Sequence, residues 1–167
     1  MPDLNTHLKI KASIERWPIE GAFTISRGSK REAVVVVVEV AGEGHIGRGE
    51  CVPYARYGET AEETLAELLQ LGPKISPTRV LEMLVGKAAH NALDCALWDW
   101  QAKRSSTPPC KRVGRPAPQP ILTCYTISLD TPEAMAAAAK RVSHLPLLKL
   151  KLGRDGDADR MRAVRAT

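Results

Sequence analysis

The chain is poor in aromatic residues, has no long apolar run, and has no closely spaced cysteines; each shortage excludes something. Aromatics make up 4% of the 167 residues, and the 24 lysines and arginines are scattered with no run of five like charges. The formal charge of +5 therefore lacks the stacking surface and the basic stripe that nucleic-acid binding needs, and no nucleic-acid partner is expected. No segment approaches the ~20 apolar residues that span a bilayer, and Met1 to Ile10 lacks the basic start and apolar core of a secretory signal, so no membrane partner and a cytoplasmic location are expected. Cys51, Cys95, Cys110 and Cys124 stand too far apart for a CxxC metal knuckle or a small disulfide scaffold, which suits reduced thiols. His7, His45, His90 and His144 share no spacing that suggests a metal site.

What is present is a change of rhythm along the chain. Leu8, Ile10, Ala12 and Ile14 alternate with Lys9, Lys11, Ser13 and Glu15, the pattern of a half-buried strand up to Arg16. Ala33 to Val40 carries five consecutive valines, and Gly42-Glu43-Gly44 turns it back toward Ile46 to Val52 as a hairpin. Between them, Trp17 to Glu32 reads as a long loop holding Pro18, Gly21 and Gly28. Thr60 to Glu63 is a capping box ahead of a stripe of Leu65, Leu68 and Leu69, and Gly72-Pro73 stops that helix. A second helix is expected from Ser76-Pro77 to Gly86, and a third from Lys87 to Lys103 with Ala89, Leu93, Leu97 and Trp100 along one side.

Ser105 to Pro120 holds five prolines and reads as a linker. Beyond it comes βαβα: strand Ile121 to Ile127, a helix from Thr131-Pro132-Glu133 to about Ser143, strand Leu147 to Leu152, and a helix opened by Asp157. The expected organisation is an α+β domain over residues 1–118 followed by two βα units over 119–167, too few to close a parallel barrel. Open parallel strands should favour self-association, so a homo-oligomer is among the expected partners.

The sharpest chemical feature is Lys149-Leu150-Lys151 at the end of an apolar strand, just before Gly153. Period two puts both ammonium groups on one face, where each disfavours the other's charge, a condition that suits proton abstraction. The alternative is an edge strand with two solvated lysines.

Three segments then carry a resemblance: Gly49-Glu50-Cys51-Val52-Pro53-Tyr54-Ala55-Arg56-Tyr57-Gly58-Glu59-Thr60, Asn91-Ala92-Leu93-Asp94-Cys95-Ala96-Leu97-Trp98-Asp99, and Leu147 to Gly153. In this order and spacing the chain resembles the N-terminal half of the dipeptide epimerases, in the muconate-lactonizing branch of the enolase superfamily. The resemblance implies an α+β capping domain followed by the start of a TIM-like (β/α)7β barrel, incomplete here. It also implies Mg²⁺-assisted 1,1-proton transfer α to a carboxylate, on a small dipeptide such as L-Ala-D/L-Glu, in recycling of cell-wall peptides. Lys151 matches the acid/base lysine, Lys149 its partner near the substrate carboxylate, and Thr126 a substrate-contacting threonine of the first barrel strand. Lys30 falls where relatives place an arginine toward the acidic side chain of the dipeptide; a solvated loop lysine is the equal alternative. Trp17 to Glu32 and Cys51 to Thr60 match the two capping loops, with Arg56, Tyr57 and Glu59 as rim candidates. Asn91, Asp94 and Asp99 match framework positions on the third helix.

The resemblance places the three acidic Mg²⁺ ligands, the opposite-face lysine and the acidic motif for the dipeptide amino group beyond Thr167, so this chain alone is expected to be inactive. Pro108 to Arg115 departs from relatives, which carry a bulky apolar segment there. An o-succinylbenzoate synthase, a muconate cycloisomerase, or a non-catalytic remnant or interaction module remain the alternatives.

Overall fold

In the computed structural model, residues 7–77, 79–153 and 155–167 are described. The alternation that starts at Leu8 runs further than the sequence suggests. Strand β1 (Leu8–Ile25) turns at Ser26-Arg27 into β2 (Gly28–Gly42), so the expected loop Trp17 to Glu32 is the far part of a long hairpin. Pro18 is tolerated because β4 (Lys74–Ile75) pairs only with Leu8 and Lys9, and a strand edge can lack an N–H. With β3 (His45–Cys51) the sheet order is β3-β2-β1-β4. Glu43 and Gly44 join β2 to β3 with φ of 50° and 77°, the two-positive-φ turn that matches strand twist.

Helix α1 (Ala61–Gln70) starts as its capping box dictates, with Thr60 Oγ1 accepting the Glu63 N–H at 3.2 Å. Its buried face is Thr64 and Leu68, while Leu69 is exposed. The helix expected over Ser76 to Gly86, in which Thr78 lies outside the described residues, does not form. Ile75 pairs with Leu8 in the sheet, Val80–Met83 makes one 3₁₀ turn, and the Glu67 carboxylate takes the N–H groups of Val85 and Gly86. Those donors are thereby drawn out of any helical ladder.

Helix α2 (Lys87–Ser105) buries Ala89, Ala92, Leu93, Ala96, Leu97 and Trp100 against Leu8, Val36, Val38, Val40 and Cys51. Register pairs Val38 with Gly49 and Val40 with Gly47, so both glycines share the inner face of the sheet with the valines. They let α2 lie directly on β3: a Cβ at Gly49 would overlap the Ala92 carbonyl, and one at Gly47 the Ala96 carbonyl. The Trp100 indole N–H closes this core by donating to Gly42 O at 3.0 Å.

The proline-rich segment contains one short helix, α3 (Pro109–Arg112), and then runs exposed and irregular to Cys124. Strand β5 (Tyr125–Ile127) is shorter than expected because its partner β6 (Leu148–Leu150) offers three parallel positions. Helix α4 (Pro132–Arg141) starts on Thr131, whose Oγ1 accepts the Ala134 N–H, and α5 (Asp157–Arg165) packs beside it. By contacts the chain divides into two compact units, Met1–Trp17 with Val34–Pro118 and Pro18–Ala33 with Gln119–Thr167. Among the described residues no helix is long and apolar enough to cross a membrane.

Candidate active-site face of the second unit

The small parallel sheet sorts its side chains by period two. Ile127 pairs with Leu150, and both pack with Met135 and Ala139 of α4. Thr126 pairs with Lys149, which puts these two on the opposite face, away from the helices. Lys151 continues the ladder through its N–H to Ile127 O at 3.0 Å, so its side chain returns to the face of Lys149. Lys149 is exposed and Lys151 half-buried. Three of the four residues singled out from sequence thus share one surface.

The far end of the hairpin belongs to this unit and is tied to the exit of β5. Thr24 N–H donates to Ser128 Oγ at 3.3 Å, Ser128 Oγ donates to Ala22 O at 3.1 Å, and Leu129 N–H donates to Thr24 O at 3.1 Å. Between the two anchored residues, Phe23 lies with its ring centroid 5.7 Å from Lys151 Nζ. Lys30, the fourth candidate, is exposed on β2 close to the hairpin turn. A cavity of about 380 Å³ lies along the other edge of β5, lined by Glu20, Ala22, Tyr125, Ser128, Ala138 and Arg141 among others; Thr126 lines it too, whereas Lys30, Lys149 and Lys151 do not.

The remaining candidates lie in the first unit, where Glu59, Asn91 and Asp99 tie its elements together. Glu59 Oε1 accepts the Ala88 N–H at 2.9 Å, holding the start of α2, while Arg56 and Tyr57 are exposed. Asn91 Nδ2 donates to Glu50 O, and Asp99 accepts from Arg48 N–H and Lys103 Nζ. Burial pushes the Asp99 carboxyl up, but the hydrogen bonds from Lys103 and the Arg48 N–H outweigh it and hold the group below the usual carboxylate range. Among the described residues no three His, Cys, Asp or Glu side chains converge to hold a metal ion. A divalent ion therefore has no fitting site in the residues seen here.

Ser128 and Phe23 are the functional-looking residues that spacing did not reveal. Ser128 meets the hairpin through the Thr24 N–H, 104 positions away, beyond any local pattern, although Phe23 beside it is the single phenylalanine of the chain.

The first unit has the α+β make-up expected of a capping domain, and the second holds two parallel βα units, as the start of an incomplete barrel would. The chain belongs to the mandelate racemase / muconate lactonizing enzyme family: residues 7–114 match its N-terminal domain. It is 39% identical to the L-Ala-D/L-Glu epimerase of Escherichia coli K12 over 162 residues, covering 93% of this chain and 50% of that protein. It is also similar to the crystal structure of an enolase family member from Agrobacterium tumefaciens with homology to dipeptide epimerases, with bound sodium and L-Ala-L-Glu. There the TM-score is 0.84 and the identity 41%, over 96% of this chain and 50% of that one. A dipeptide epimerase from Enterococcus faecalis V583, complexed with Mg and L-Leu-L-Tyr, matches at TM-score 0.83 and 25% identity, again over 96% and 50%. The chain spans about half the length of the curated relatives it matches.

Proposed function

We propose that this chain is the N-terminal half of a Mg²⁺-dependent dipeptide epimerase acting on L-Ala-D/L-Glu or a similar dipeptide, in the cytoplasm, within recycling of cell-wall peptides. In this reading residues 1–118 are the capping domain and 119–167 open the barrel. The observation that carries the proposal is the common face of Thr126, Lys149 and Lys151 at the carboxyl end of a parallel sheet, the end at which barrels present reactive groups. Lys151 Nζ takes the proton from one side of the α-carbon and returns it there in the reverse direction. Lys149, one pleat deeper on the same face, is directed at the substrate carboxylate, with Thr126 beside it in register. Lys30, on the hairpin, serves the acidic side chain of the dipeptide. With no fitting metal site among the described residues, holding and releasing that proton is the share of the chemistry that falls to this chain.

The test joins residues 1–167 in frame to the C-terminal half of the E. coli relative. The folded chimera should exchange the α-proton of L-Ala-D-Glu and L-Ala-L-Glu in D₂O. Lys151→Ala should abolish exchange from one epimer and spare the other, whereas Lys149→Ala should weaken both. A chimera that is folded by circular dichroism yet exchanges no dipeptide in a broad panel would overturn the proposal.

A further inference from the structure

The Lys151 ammonium sits on four rotatable carbons, and a base that must meet one α-hydrogen cannot be left to wander over them. Beyond the end of β6 at Leu150, the Lys151 N–H still bonds Ile127 O, which holds the backbone but not the four carbons of the side chain. The restraint comes from the hairpin. Ala22 and Thr24 are both fastened to the exit of β5, through a Ser128 hydroxyl that accepts from one and donates to the other, and through the Leu129 N–H. A residue clamped on both sides has little freedom left, and the residue between them is Phe23. Its ring stands 5.7 Å from Lys151 Nζ, within the range at which an aromatic face attracts an ammonium group.

We propose that Phe23 is a positioning residue for Lys151: the doubly anchored hairpin holds its ring beside the ammonium group and fixes where that group stands when it carries the proton. The role rests on the reading of Lys151 as acid/base, and it adds Ser128 as the residue that locates the ring. A ring that merely filled space could be replaced by leucine; a ring that attracts the ammonium could be replaced only by another aromatic.

The 167-residue chain itself carries the first test. With ¹³C-dimethylated lysines, the Lys151 resonance, assigned through Lys151→Arg, should lie apart from the other lysines because of the ring current. It should return to them in Phe23→Leu and stay displaced in Phe23→Trp, with circular dichroism unchanged. A Lys151 signal indistinguishable from exposed lysines in the unaltered chain would overturn the contact, whatever the chimera does. In the chimera, Phe23→Leu should lower the turnover of the Lys151-dependent epimer by about ten- to a hundredfold, leave the other epimer near normal, and be rescued by Phe23→Trp. Equal loss of both epimers, or no loss, would overturn the positioning role while leaving the epimerase reading standing. A chimera inactive with Phe23 in place removes the epimerase reading instead, and the lysine spectrum then decides the contact alone.

Discussion

Gly49→Ala isolates the contact on which the first unit is built. Gly49 has no positive φ, so alanine there meets no backbone strain, and the whole effect comes from the added carbon. That carbon would overlap the Ala92 carbonyl and lie 2.6 Å from the Ala96 nitrogen, both in the backbone of α2, where no flexible side chain can yield. Overpacking of this kind costs about 1–3 kcal/mol, and a rigid helix backbone argues for the upper end. Against it stands a gain of about 0.4–1 kcal/mol, because alanine restricts the unfolded chain more than glycine does. The net loss should be about 2 kcal/mol or more, a large share of a stability on the order of 5–15 kcal/mol. Urea unfolding followed by circular dichroism reads this as a lower midpoint at unchanged slope. Gly58→Ala is the contrast: φ is 74° and nothing lies within 4 Å, so only the left-handed backbone penalty of about 1 kcal/mol applies. A Gly49→Ala chain within about 0.5 kcal/mol of the parent would refute the close approach of α2 to β3.

Burial pushes the Cys51 thiol from 9.0 up to about 11. Between those values the unfolded chain loses its proton and the folded one keeps it, so stability present below pH 9 falls as the pH rises toward 11, by about 3 kcal/mol. Cys51→Ala should remove that slope from a series of melts across this range, and iodoacetamide should label exposed Cys95 and Cys124 well before Cys51. Thr60→Ala removes the side-chain acceptor for the Glu63 N–H and should cost about 1 kcal/mol in the same unfolding assay, with Thr60→Ser close to neutral.

The elements that could be read from sequence are those whose signals are local. Turn, capping box and the long helix appear where Glu43-Gly44, Thr60 and Ala89 to Trp100 place them, since each depends on residues within a few positions of one another. The second helix failed for the opposite reason. Val80, Leu81 and Leu84 have helical spacing, yet Glu67, from the preceding helix, takes the N–H groups of Val85 and Gly86. Helical propensity is a weak prior when a tertiary acceptor competes for the same donors.

The candidate site divides along the same line. Lys149 and Lys151 share a face by period two, which any strand imposes, and Thr126 joins them through a register that a sequence could suggest only by analogy. The hairpin end was hidden, because Pro18, Gly21 and Gly28 break the alternation and imitate a loop. Its strand character is supported from outside the segment, by Ser128 and Leu129 anchoring Ala22 and Thr24. A segment ordered by such contacts has few signals of its own to show. That dependence also makes Ser128 the sharper probe of the hairpin than any residue within it. Removing one hydroxyl releases two of the three hydrogen bonds at once and leaves the hairpin end held there by the Leu129 N–H to Thr24 O, so the aromatic neighbour of Lys151 is held less firmly although neither ring nor lysine has been touched.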